Sequence, residues 1–242
     1  MSSRPAIHFE RQGEGFPLFL GYPITASEVP EDPGQAAAKG YLGRLTDRYS
    51  VVVMDYPNIG RSDPIPADEL TADRVCADLL RVADAAGFER FAWWGYSWGG
   101  VIGLQLACRT DRVAALICGG WPPLGNLYPK VLQSCRATVD EFAYQRQYVT
   151  FYESIRDWPE SERVRALRCP RMTYFGSEDE VERGGVTMSI AGTLRAQRSE
   201  LERCGWQVQE IPGRDHSLWT DAGLVVPLVR PFLDAVARAV GS

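Results

Sequence analysis

Short apolar runs alternate along this chain with longer stretches whose apolar positions recur every three or four residues. Residues 7–11 and 17–20 read as strands around the turn Gly13-Glu14-Gly15, followed by a helix over 35–48 and an all-apolar strand at 51–54. An amphipathic helix over 70–86 is closed by Gly87, a residue suited to a helix C-terminus. A strand at 91–94 leads into a turn and a helix around 101–107, and a buried strand follows at 113–118. Two more strands fall at 171–175 and 207–211. The last helix spans 223–240, with Pro227 near its start and Pro231 marking an expected kink or restart. Strands that are apolar on both faces and separated by helices imply an α/β fold, a mostly parallel sheet covered by helices on both sides.

Between residues 120 and 170 the alternation stops. Tyr, Phe, Trp and Arg become frequent there, with helical spacing over 139–155, which predicts a small helical lid at about 121–168. The segment has no repeat and no low complexity, and about fifty residues would be marginal as an independent unit. We therefore read 1–242 as one domain with an insertion.

Composition narrows the function classes. A net charge of −5 offers no basic surface for nucleic acid. Lys39 and Lys130 are the only lysines, so the positive charge is almost wholly arginine. The six cysteines, at 76, 108, 118, 135, 169 and 204, show no C-x-x-C pair and no nearby histidine, so they read as reduced thiols with no metal site. The start, Met-Ser-Ser-Arg-Pro, has no apolar leader, and no run approaches about eighteen apolar residues. The expectation is a cytoplasmic protein that acts on a small molecule without cofactor, membrane or nucleic acid. An exposed lid leaves room for a homodimer.

The chemistry centres on Gly95-Tyr96-Ser97-Trp98-Gly99, placed between the strand at 91–94 and the following helix. A serine on such a turn takes a strained conformation with positive φ, which demands small residues two positions to either side. The turn lifts its hydroxyl clear of the sheet and sets the next N–H at a helix N-terminus, facing an oxyanion. A serine nucleophile needs a base, and this chain has two histidines. His8 lies inside the first strand pattern. His216 follows the strand at 207–211 in the loop Pro212-Gly213-Arg214-Asp215-His216-Ser217, where it can reach over the sheet edge, so His216 is the base. The acid that orients it should follow the strand at 171–175, where Ser177-Glu178-Asp179-Glu180 stands. Asp179 is preferred over Glu178, Glu180 and the adjacent Asp215.

With serine, acid and histidine in that order, the chain resembles the α/β-hydrolase superfamily over essentially its whole length. The family's turn D-x-P-G-x-G-x-S is matched by Asp55-Tyr56-Pro57-Asn58-Ile59-Gly60-Arg61-Ser62, with Asn58 in place of a glycine. Asparagine tolerates the same left-handed backbone. The Gly-x-x-Asp of the acid loop is matched by Gly176 to Asp179. Where many relatives carry His-Gly-x-Pro, this chain has Leu20-Gly21-Tyr22-Pro23. The resemblance implies an oxyanion hole formed by the backbone N–H groups of Tyr22 and Trp98.

Serine at the elbow disfavours the alkyl-enzyme chemistry of relatives that carry aspartate there. The expected reaction is hydrolysis of a small or medium, largely apolar carboxylic ester, lactone or thioester through an acyl-enzyme. Trp121, Tyr128, Tyr144, Tyr148 and Trp219 are expected to line the pocket, and arginines such as Arg136 and Arg146 could meet a carboxylate, with most arginines expected to be solvated. The same triad in relatives supports carbon–carbon bond hydrolysis, perhydrolysis and lyase chemistry. A slow-turnover, receptor-like binding protein is the reading from another class.

Overall fold

The computed structural model describes residues 5–27 and 33–240, so the reading of residues 1–4 lies outside it. The strands are β1 (Phe9–Gln12), β2 (Phe16–Leu20), β3 (Tyr49–Met54), β4 (Phe91–Tyr96), β5 (Val113–Gly119), β6 (Arg171–Gly176), β7 (Glu180–Arg183), β8 (Val186–Ser189) and β9 (Trp206–Ile211). Seven of them form one sheet in the order β1-β3-β2-β4-β5-β6-β9, while β7 and β8 form a separate hairpin. Only β1 runs antiparallel to its neighbour in that sheet. The chain steps outward from β2 to β3 and returns on the other side of β2 as β4. The crevice at the C-terminal ends of β2 and β4 is thus the switch point where open α/β sheets bind ligands.

The helices are α1 (Pro33–Leu45), α2 (Ala72–Ala85), α3 (Trp98–Ala107), α4 (Tyr128–Thr138), α5 (Gln145–Ser154), α6 (Glu160–Arg165), α7 (Ile190–Arg203) and α8 (Ala222–Val240). Alternation along the strands divides the core in two. Leu18, Leu20, Val51 and Val53 join α1 and α8 on one face. Phe19, Val52 and Met54 join α2, α3 and residues of α4 to α7 on the other. Burying one such side chain stabilises the fold by about 1.5–3 kcal/mol. The neighbours Trp93 and Trp94 follow the same rule. Trp93 faces the α3 side and donates its indole N–H to the Gly99 carbonyl at 2.9 Å, whereas Trp94 faces α1 and donates to the Tyr174 hydroxyl at 3.0 Å. The two bonds fasten the strand below the serine turn to its surroundings.

Several elements depart from the sequence expectation. The 35–48 helix is Pro33–Leu45, and the strand expected at 51–54 begins at Tyr49. In the insertion, helical spacing over 139–155 resolves into α5 alone, with α4 ahead of it and Val139 at the α4 C-terminus. The hairpin β7–β8 and the helix α7 stand between the strands expected at 171–175 and 207–211. The final helix runs through both Pro227 and Pro231, with no restart. Each proline removes one backbone bond, but Val225, Val226, Val229, Phe232, Leu233 and Val236 form a continuous buried face that holds the helix.

Candidate active site

Ser97 follows β4 and begins α3 with φ 53° and ψ −116°, a conformation that costs energy for a residue with a side chain. The surroundings over-determine it. Its N–H donates to the Gly119 carbonyl at 2.8 Å, and its own carbonyl accepts from the N–H groups of Gly100 and Val101. A Cβ at Gly95 would lie 2.3 Å from the Gly99 carbonyl oxygen, and one at Gly99 would lie 2.1 Å from that of Tyr22. Both contacts are with backbone, so only glycine fits at either position.

His216 stands after β9 at the start of a 3₁₀ turn, His216–Thr220. Its Nε2 lies 3.0 Å from Ser97 Oγ and its Nδ1 lies 2.7 Å from Asp179 Oδ1. Asp179 follows β6 and is fully buried. Its N–H bonds the Gly176 carbonyl, and its carbonyl accepts the N–H of Ala191, which ties the acid loop to α7. The structure thus brings Ser97, His216 and Asp179 into one hydrogen-bonded line. The competing acids lie elsewhere. Asp215 caps the 3₁₀ turn through Ser217, whose hydrogen bonds hold its carboxyl below the usual range, and Glu178 and Glu180 are exposed. His8 precedes β1, three strands from β4.

The residue before the serine was not singled out from the sequence. Tyr96 donates its hydroxyl to the second carboxylate oxygen, Asp179 Oδ2, at 3.3 Å, and its ring centroid lies 5.3 Å from that of His216. Burial and the neighbouring Asp179 charge push its pKa far upward, so it is a donor at all ordinary pH. No pattern of spacing announces this role, because an aromatic residue on an apolar strand looks like core.

The Asp55-to-Ser62 turn braces the loop after β2. The buried Asp55 carboxylate accepts the N–H groups of Ala26, Ser27 and Arg61 and the Ser27 hydroxyl. Asn58 takes the left-handed φ of 66° expected of it and donates to Gln147 of α5 at 2.8 Å. Leu20 packs among α1 and α8 and offers the loop no hydrogen bond. Tyr22 is joined to Pro23 by a cis peptide bond. The Tyr22 N–H, expected to face an oxyanion, donates to the Tyr56 hydroxyl at 3.0 Å. Trp98 N–H opens α3 and has no backbone partner among the described residues.

A cavity of about 170 Å³ opens onto Ser97 and His216. Trp121, Tyr144 and Tyr148 line it, with Trp98, Tyr152 and Met188. Two expectations need correction. Tyr128 lies fully buried behind the cavity wall, its ring stacked on Trp121 at 5.5 Å. Trp219 packs on the opposite face of the sheet with the α1 and α8 cluster, and its carbonyl accepts from the Tyr41 hydroxyl. Of the arginines weighed for an anion, Arg136 pairs with Glu153, and neither it nor Arg146 lines the cavity. Arg183 lines it instead. Cys135, also on the wall, is pushed up to about 11 by burial and is a poor nucleophile at neutral pH. Among the described residues no group of three or more His, Cys, Asp or Glu side chains could hold a metal ion.

A model of the alpha/beta hydrolase fold family matches residues 38–148. RutD of Enterobacter cloacae, provisionally named a carbamate hydrolase, is 31% identical over 107 residues, which cover 43% of this chain and 40% of that protein. The pimeloyl-[acyl-carrier protein] methyl ester esterase of Pectobacterium carotovorum is 28% identical over 173 residues, covering 66% of this chain and 64% of its own. The chain thus spans less than half the length of the first relative and under two thirds of the second. A solved thermophilic esterase from Thermogutta terrifontis superposes with a TM-score of 0.71 at 19% identity, covering 96% of this chain and 94% of that one. The chain has the alpha/beta hydrolase fold. No helix among the described residues is long and apolar enough to cross a membrane.

Proposed function

We propose that this protein is a serine hydrolase that cleaves a small carboxylic ester, lactone or thioester through an acyl-enzyme on Ser97. One observation carries the reading: Ser97 Oγ, His216 and Asp179 form a continuous hydrogen-bonded line at the mouth of the cavity. His216 takes the Ser97 proton as Oγ attacks the carbonyl carbon. Asp179 holds the imidazole in the tautomer that leaves Nε2 free to accept. The oxyanion meets the Trp98 N–H at the α3 N-terminus, where the helix dipole favours negative charge, and the Tyr22 N–H as it leaves Tyr56. His216 then protonates the departing group, and water attacks the acyl-enzyme with the same base.

The relatives support the class of bond. An esterase name and a carbamate-hydrolase name both describe attack on an acyl carbon. The small cavity, walled by Trp98, Trp121 and Tyr148, supports a compact and partly apolar acyl group. The test is hydrolysis of short-chain p-nitrophenyl esters by the wild type and by Ser97→Ala, together with fluorophosphonate labelling. Turnover and labelling should vanish together in the variant. Equal activity in both proteins would overturn the mechanism.

A further inference from the structure

The β7–β8 hairpin presents one face to the cavity, and its register shows which residues lie there. Side chains alternate along a strand, and opposed residues share a face. Val181 pairs with Met188 and Arg183 with Val186, so these four share one face. On that face Val186 and Met188 are buried, Val181 is half-buried and Arg183 reaches solvent, while Glu180, Glu182, Thr187 and Ser189 on the other face are exposed. Val181, Arg183 and Met188 line the cavity at Ser97. The hairpin backbone is held in place there. The Arg183 carbonyl accepts the Ser134 hydroxyl of α4 at 3.0 Å, and a Cβ on Gly184 would lie 2.8 Å from that of Ala137.

Among the described residues the Arg183 guanidinium makes no ion pair and no hydrogen bond, although most arginines of this acidic chain are paired. Among the described residues no Asp or Glu lines the cavity, so Arg183 gives its wall a positive charge. Burial drives Cys135, Tyr148 and Tyr152 upward, and the Arg183 charge pulls each of them back.

We propose that Arg183 binds a carboxylate carried by the substrate, so that the substrate is the monoester of a short dicarboxylic acid or a lactone bearing a free acid. This rests on the serine-hydrolase reading for the placement of the ester carbonyl at Ser97, but the anion site itself does not depend on turnover. Arginine suits the role because its planar donors match a carboxylate and its charge persists at every working pH.

The test compares mono-p-nitrophenyl esters of succinic, glutaric and adipic acids with the neutral p-nitrophenyl butyrate, valerate and hexanoate. Wild type, Arg183→Gln and Arg183→Lys are assayed for kcat/KM. In parallel, monomethyl glutarate and methyl valerate are titrated into Ser97→Ala and Ser97→Ala/Arg183→Gln, with tryptophan fluorescence reporting binding beside Trp98 and Trp121. Arg183→Gln should lose roughly tenfold or more on the acidic esters. It should leave the neutral ones within about twofold, and Arg183→Lys should restore part of the loss. In the titrations the acid should bind more tightly than the neutral ester only where Arg183 is present. Equal responses to acidic and neutral ligands in both sets would overturn the proposal. A binding difference without any Ser97-dependent turnover would sustain the anion site and remove the hydrolase reading instead.

Discussion

The backbone N–H of Tyr22 donates to the phenol oxygen of Tyr56 at 3.0 Å, which sets an internal acceptor against the oxyanion that the same N–H is expected to serve. Tyr56 is fully buried and stands in the turn whose Asp55 braces the loop from below. The loop therefore has anchors independent of the phenol. Forming the oxyanion exchanges one hydrogen bond of the Tyr22 amide for another, at a cost of about 1 kcal/mol. Tyr56→Phe removes the competitor, and kcat on a simple ester should rise roughly two- to fivefold while thermal stability falls by about 1 kcal/mol. A hundredfold loss of kcat would show instead that the phenol positions the amide.

Tyr96 offers a separate test, since its hydroxyl meets Asp179 and does not line the cavity. Removing it with Tyr96→Phe keeps the ring against His216 but leaves Asp179 Oδ2 without its donor in a fully buried site. One neutral-to-charged hydrogen bond is lost, worth about 1.5–3 kcal/mol. We expect kcat to fall roughly tenfold with KM little changed, because the loss acts on the orientation of His216 and not on binding. Steady-state kinetics on one ester would reveal the split. A rise in KM at constant kcat would place Tyr96 in substrate binding.

Gly99 joins the serine turn to the Tyr22 loop by close contact. A methyl group at this position would meet the Tyr22 carbonyl oxygen at 2.1 Å, and that carbonyl already accepts the Tyr96 N–H. Neither partner is a flexible side chain, so the loop or the turn must move. Gly99→Ala should destabilise the protein by about 3 kcal/mol and reduce kcat by roughly a hundredfold or more. Chemical denaturation and kinetics together check this. Wild-type behaviour in both would mean that the turn and loop are not packed as described.

These tests also show where the sequence was legible. Gly95, Ser97 and Gly99 could be read because their chemistry is local: a strained turn permits few residues, and spacing alone displays the constraint. Asp179 and His216 could be read because each follows a strand at the same sheet edge. Tyr22–Tyr56 and Tyr96–Asp179 could not, since each joins residues 34 or 83 positions apart through tyrosines that sequence alone cannot distinguish from core. The hairpin β7–β8 escaped because four-residue strands carry little periodicity, and with it Arg183 escaped as well. Residue type alone points Tyr128 and Trp219 to the pocket. Which side of a wall an aromatic residue faces depends on packing between distant elements.

Glu160 gives a prediction for stability against pH. It begins α6, is 3% exposed, and accepts the Asn126 N–H at 2.8 Å with the Tyr128 hydroxyl nearby. Burial raises its pKa to about 7 against the Asn126 N–H and the nearby Tyr128 hydroxyl, which lower it. The folded state thus holds this proton more tightly than the unfolded chain, whose carboxyl has an ordinary value of 4.5. Below that value both states are protonated and the contribution is fully present. As pH rises, the unfolded chain releases the proton first, so stability from this group declines between about 4.5 and 7 and is lost above the folded pKa. The whole shift amounts to about 3 kcal/mol. Glu160→Gln keeps the shape and an acceptor for Asn126 without an ionisable group, and it should flatten this part of the stability profile. Urea denaturation at intervals across that range should show the variant equal to wild type at the acid end and more stable above neutral pH. Parallel profiles for the two proteins would show that Glu160 ionises without penalty.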